Sequence, residues 1–149
     1  MFINHIKDLF PYDLYICILN IEIVILVENQ VGKSILIVED DNVSRTLYKE
    51  MLKISGVSLH FAKTGKETLE FFENNPVPDI LFLDIRLPDI NGLDITKQLL
   101  SRYPDLVIIA QTAFAQQQWE KACMEVGMKA FITKPIIRAN LEPILQKYL

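Results

Sequence analysis

Residues 80–92 read Ile80-Leu81-Phe82-Leu83-Asp84-Ile85-Arg86-Leu87-Pro88-Asp89-Ile90-Asn91-Gly92. An unbroken apolar run meets a carboxylate, and a Pro88/Gly92 loop then opens a helical pattern at Leu93, Leu99 and Leu100. A strand that is apolar on both sides belongs in a sheet covered on both faces, as parallel sheets are. The same order recurs along the chain. Upstream, Ile35-Leu36-Ile37-Val38 is followed by Val43, Leu47, Met51 and Ile54 at helical spacing, with Gly56 as the stop. Residues 57–61 alternate like a strand, and Thr64 is the expected cap of a helix through Leu69 and Phe72, ended before Pro76. Downstream, residues 106–110 form another apolar run, and Trp119, Ala122, Cys123 and Val126 mark a helix face closed by Gly127. Residues 130–133 make the fifth strand, and Leu141, Ile144, Leu145 and Tyr148 the last helix.

Five strand-then-helix units predict an α/β fold: a doubly wound, five-stranded parallel sheet with helices on both faces. Ligands in such sheets bind at the carboxyl ends of the strands, beside the point where strand order reverses. Those ends carry Glu39-Asp40-Asp41, Asp84, Thr112 and Lys134-Pro135. Of these, the three carboxylates of Glu39, Asp40 and Asp84 against Lys134 alone leave a charge of about −2, which is costly unless a cation joins them. Hard oxygen donors with open positions suit Mg²⁺, which keeps waters and shares phosphate oxygens. A carboxylate beside such an ion, a lysine and a hydroxyl can act as a nucleophile toward phosphorus. Singly, each piece has a blander use: Asp41 or Asn42 can cap the following helix, and Lys-Pro can be a plain turn. Their joint occurrence at successive strand ends is what points to chemistry. The chain has no Gly-rich phosphate loop, no Gly-x-Ser-x-Gly elbow and no metal-spaced His/Cys group.

The whole chain has 149 residues, half of them apolar, and a net charge of −4, so disorder is excluded and a nucleic-acid surface of broad positive potential is not expected. Cys17 and Cys123 cannot form a disulfide framework, which fits a cytoplasmic protein. Residues 1–33 stand apart as an N-terminal apolar extension, with residues 34–149 as the domain. The apolar stretch 14–27 is interrupted by Glu22 and is shorter than the ~20 residues a spanning helix needs, so membrane insertion is not expected. Extra strands split around Asn20, a remnant of a neighbouring domain and a misplaced start codon are the open readings. His5 and His60 lack partners in the pattern and read as incidental, and Cys123 reads as core packing.

Residues 35–41, the stretch 83–92, Gln111-Thr112-Ala113 and Thr133-Lys134-Pro135 strongly resemble the receiver domain of two-component response regulators, over residues 34–149. The resemblance implies a flavodoxin-like receiver fold and a phospho-accepting signalling role rather than an enzyme. By it, Asp84 is the phosphorylation site, and Glu39, Asp40 (the likelier direct ligand), Asp84 and the backbone carbonyl of Arg86 hold Mg²⁺. Thr112 matches the switch hydroxyl, Phe131 the switch aromatic, and Lys134 the lysine that pairs with the phosphoryl group. The Lys134–Pro135 bond is typically cis in such proteins. Implied partners are a histidine kinase or histidine phosphotransfer protein and a downstream protein target. A homodimer through the fourth helix, fifth strand and fifth helix is also within the family's repertoire. The chain ends at Leu149, right after the expected fifth helix, which suggests a stand-alone receiver or the terminal receiver of a hybrid kinase. The phrase 108–113 tilts toward hybrid kinases. Arg86 and Phe114 occupy the positions that flank the hydrolytic water in the family. Neither can serve as a base there, so self-dephosphorylation is expected to be slow. The competing class is a Mg²⁺-dependent phosphohydrolase on a similar sheet, which would need a general acid where Arg86 stands.

Overall fold

The computed structural model describes residues 32–53, 56–113 and 117–149. The expected apolar extension, apart from Gly32 and Lys33, lies outside these residues, as do Ile54 and Phe114. Strands and helices alternate: β1 (Ser34–Val38), α1 (Asn42–Leu52), β2 (Ser58–Ala62), α2 (Gly65–Asn74), β3 (Ile80–Asp84), α3 (Gly92–Arg102), β4 (Val107–Thr112), α4 (Gln117–Glu125), β5 (Ala130–Thr133) and α5 (Arg138–Tyr148). All pairings are parallel, in the order β2-β1-β3-β4-β5. The order reverses between β1 and β3, which places the expected crevice above their carboxyl ends.

Alternation along each strand sends side chains to two separate cores. Leu36, Val38, Leu81, Leu83, Ile108 and Ala110 face α2, α3 and α4, where they meet Phe72, Ile95, Leu99 and Cys123. Ile35, Ile37, Ile80, Phe82 and Ile109 face α1 and α5, against Tyr48, Leu52, Leu141 and Leu145. Because both faces are covered, β1 and β3 are buried almost end to end, which explains their unbroken apolar runs. Burial pushes the Cys123 thiol up to about 11, with Glu120 adding to the shift, as an inert packing residue requires. His60 lies against Phe71, ring centroids 5.1 Å apart.

Caps start α1 and α2 where the sequence suggested, whereas α1 ends at Leu52 with Lys53 as its cap, short of the expected stop at Gly56. Thr64 accepts from the Glu67 amide at 3.1 Å, and Asp41 from the Ser44 amide at 2.7 Å. Gly56 and Gly127 take positive φ, 67° and 101°, the left-handed conformation that favours glycine.

One expectation fails in α1. The apolar stripe at Val43 and Leu47 is turned to solvent, 66% and 43% exposed, while Arg45, Tyr48 and Leu52 are buried. The rotation is fixed by polar contacts: the Arg45 guanidinium binds backbone carbonyls of the β1–α1 loop, and the Tyr48 hydroxyl reaches Gln111 in β4. β4 also runs two residues beyond the apolar stretch, into Gln111 and Thr112.

Candidate functional site

The predicted acids, Thr112 and Lys134 sit at the carboxyl edge of the sheet, and the strands deliver them there, while Phe131 lies within β5. The Glu39 amide continues the sheet by donating to the Ala62 carbonyl at 2.9 Å, so its side chain rises at the end of β1. Asp84 is the last residue of β3 and Thr112 the last of β4. The Lys134 amide donates to the Thr112 carbonyl at 2.7 Å, which sets its side chain above β4 and β5, and the Lys134–Pro135 bond is cis.

Glu39 is fully buried, and Asp84 and Thr112 nearly so, whereas Asp40 is exposed. Carboxylate oxygens of Glu39, Asp40 and Asp84 all lie within 4.8 Å of one another. Lys134 crosses between two of them. Its ammonium hydrogen-bonds Asp84 Oδ2 and lies 2.6 Å from Glu39 Oε2. The second contact is an ion pair, and among the described residues the buried Glu39 Oε2 has no hydrogen-bond partner beyond that ammonium. The other oxygens are held by backbone: Asp84 Oδ1 accepts from the Arg86 amide at 2.9 Å, and Glu39 Oε1 from the Asp41 amide at 3.2 Å.

Burial drives the Glu39 carboxyl above its usual range; the Lys134 ammonium pulls the other way without cancelling it. For Lys134, burial works against the charged form, but the adjoining Asp84 and Glu39 carboxylates outweigh it and raise the amine above its ordinary value. The lysine is therefore a fixed cation facing a surplus of acid. A buried, underused carboxylate oxygen beside two further acids is a donor set for a hard divalent cation, with room for waters and a phosphate oxygen. Glu39, Asp40 and Asp84 fit such an ion.

Asp41 has a different task. It caps α1, as the bland reading allowed. The Arg86 guanidinium lies over the Trp119 ring of α4, 5.9 Å from its centroid. Phe131 is half-buried against the α2–α3–α4 core, paired in register with Ala110. The sequence reading missed Arg45, Tyr48 and Gln111, which lie directly beneath the acids. A buried glutamine closing the apolar run 106–110 was the one available signal. None of the helices among the described residues is long and apolar enough to cross a membrane.

Residues 35–146 match the response regulator receiver domain family. The polar-differentiation response regulator DivK of Brucella ovis is 32% identical over 119 residues, covering 78% of this chain and 96% of that protein. A cyclic di-GMP phosphodiesterase of Thermotoga maritima is 33% identical over 109 residues, 73% of this chain but 28% of the enzyme. The chain thus spans just over a quarter of that protein's length, and the likeness extends no further. The receiver domain of a Pseudomonas aeruginosa PAO1 sensor histidine kinase, crystallised with magnesium coordinated in its active-site cleft, superposes with a TM-score of 0.70. It is 32% identical and covers 79% of this chain and 98% of that one. These matches give the phosphohydrolase alternative no support. Fold, acid–lysine cluster and relatives agree: the chain belongs to the response regulator receiver domains, signalling modules of two-component systems.

Proposed function

We propose that Asp84 is the phospho-acceptor of this receiver. A carboxylate oxygen of Asp84 attacks the phosphorus of a phosphohistidine on a histidine kinase or phosphotransfer protein. The P–N bond breaks as the O–P bond forms, and the leaving imidazole takes a proton. The observation that carries this reading is the placement of Asp84, buried at the end of β3, hydrogen-bonded to Lys134, and within 4.8 Å of the Glu39 and Asp40 oxygens. Lys134 pairs with the incoming phosphoryl oxygens, and Arg86 contributes its amide to orient Asp84. Mg²⁺ held by Glu39, Asp40, Asp84 and the Arg86 carbonyl would neutralise charge on the phosphoryl group.

Thr112, buried at the end of β4, is the switch hydroxyl, and Phe131 on the neighbouring strand is the aromatic that repacks with it. The groove of α4, β5 and α5, lined by Glu120, Phe131, Thr133 and Ile144, is the face offered to a downstream protein or a second copy. The net charge of −4 favours protein over nucleic acid as partner and suits a cytoplasmic setting. Self-dephosphorylation is slow, because the Arg86 guanidinium rests on Trp119 and cannot accept a proton from water.

Acetyl phosphate labelling followed by intact mass tests the assignment. One phosphoryl per chain is expected for wild type with Mg²⁺, none for Asp84→Asn and nearly none for Asp40→Ala. Labelling of Asp84→Asn at the wild-type site would refute it.

A further inference from the structure

Three successive peptide carbonyls lead through the acidic loop, and each is held by a side chain from elsewhere in the fold. The Val38 carbonyl accepts from Gln111 Nε2 at 2.9 Å. The Glu39 and Asp40 carbonyls accept from Arg45 Nη1 at 2.6 and 2.9 Å. Arg45 Nη2 donates to Asn42 Oδ1, so these guanidinium contacts go to backbone and amide oxygens rather than to the carboxylates. Gln111 is locked in turn by the Tyr48 hydroxyl, which donates to its Oε1 at 2.6 Å.

The arrangement is costly to build. Gln111 and Tyr48 are fully buried and Arg45 is 8% exposed, each in a place where an apolar residue would avoid desolvation. Their yield is geometry. Fixing the peptides on both sides of Glu39 and Asp40 fixes the Cα–Cβ directions of both acids. Gln111 also reaches the other half of the cluster, since its backbone carbonyl accepts the Ile85 amide, just past Asp84, at 3.1 Å. One residue thus ties the chain before Glu39 to the chain after Asp84.

We propose that Arg45, Gln111 and Tyr48 are positioning residues that set the affinity of the acidic cluster for a divalent cation by pre-forming its backbone. The inference rests on reading Glu39, Asp40 and Asp84 as the metal site. Partners that orient metal ligands typically account for ~10–100-fold in affinity. Calorimetric Mg²⁺ titration of the full chain tests this, with folding checked by circular dichroism and thermal midpoint. Arg45→Met and Gln111→Leu are expected to weaken Mg²⁺ binding about tenfold, and Tyr48→Phe less. Arg45→Lys, which still offers donors to the same carbonyls, is expected to recover most of the loss. The Mg²⁺ concentration for half-maximal acetyl phosphate labelling shifts by the same factor, while maximal labelling persists, a split that general destabilisation does not produce. Folded Arg45→Met and Tyr48→Phe that both bind Mg²⁺ as tightly as wild type overturn the inference, whether or not Gln111→Leu folds. Failure of wild type to bind Mg²⁺, or of Asp40→Asn to weaken it, overturns the metal reading itself.

Discussion

Two lysine–carboxylate contacts stand at opposite ends of the sheet. At the amino end, Lys33 meets Asp79 at 3.1 Å with about a third of each side chain in water (37% and 32%). Asp79 also takes the Ser34 amide at 2.9 Å, so one acid has one cation and further donors besides. At the carboxyl end, Lys134 is 20% exposed and serves Glu39 and Asp84, whose side chains are 0% and 8% exposed, with Asp40 close by. The chemistry of the two contacts is the same, and stoichiometry and solvent differ. The first closes the base of β1 onto the β3 approach, a matched pair that water screens. The second is short of positive charge where water screens least, so it stores a demand for a cation.

The sharpest way to break this comparison is to remove each lysine or its acid. Lys134→Met strands two buried carboxylates, and a loss of about 3 kcal/mol is expected by urea unfolding without metal. Mg²⁺ should return part of it by mass action. A loss as small as a surface pair gives, with no response to Mg²⁺, would erase the distinction. Glu39→Gln is the milder probe. It removes one buried charge and keeps the shape, so metal-free stability is expected to rise by about 1 kcal/mol while Mg²⁺ binding weakens. Stability and metal affinity that fall together would contradict the charge surplus.

Asp79→Asn is expected to cost less than about 1 kcal/mol, with a defined pH signature. Burial raises the Asp79 carboxyl, but hydrogen bonds from Ser34 and Lys33 outweigh it and hold the group below its usual range. A depressed folded value means its contribution is complete above the unfolded carboxylate range and is lost as pH falls through the folded value. The stability gap between wild type and Asp79→Asn should therefore be constant near neutral pH and close below about pH 4. A gap that widens on acidification would reverse the sign.

Much of this was legible in sequence for one physical reason: a doubly covered sheet writes its strands as uninterrupted apolar runs and leaves its chemistry at their ends. Glu39, Asp84 and Lys134 could be found because each follows such a run, and Ala130–Thr133 matched the strand in the structure. The rotation of α1 could not be found. Hydropathy favours Val43 and Leu47 for the core, whereas what turns the helix is Tyr48 bonding Gln111, 63 residues away in sequence. The cap of α2 is hidden in the same way: besides Thr64, Asp89 accepts the Gly65 and Lys66 amides at 2.8 and 2.9 Å from the loop after β3. Local pattern finds the periodic elements and misses polar bonds that close over long separations.

The chain contains one tryptophan, and it is the residue on which the Arg86 guanidinium rests. Indole emission responds to a neighbouring cation and to its access to water. Arg86 lies two residues beyond Asp84, on the loop whose amide already binds the Asp84 carboxylate. Any event that draws that loop toward the acids changes the charge above the ring. The molecule therefore carries its own optical gauge, readable without a dye, in which the colour and intensity of a single fluorophore follow what happens at the far end of one arginine side chain.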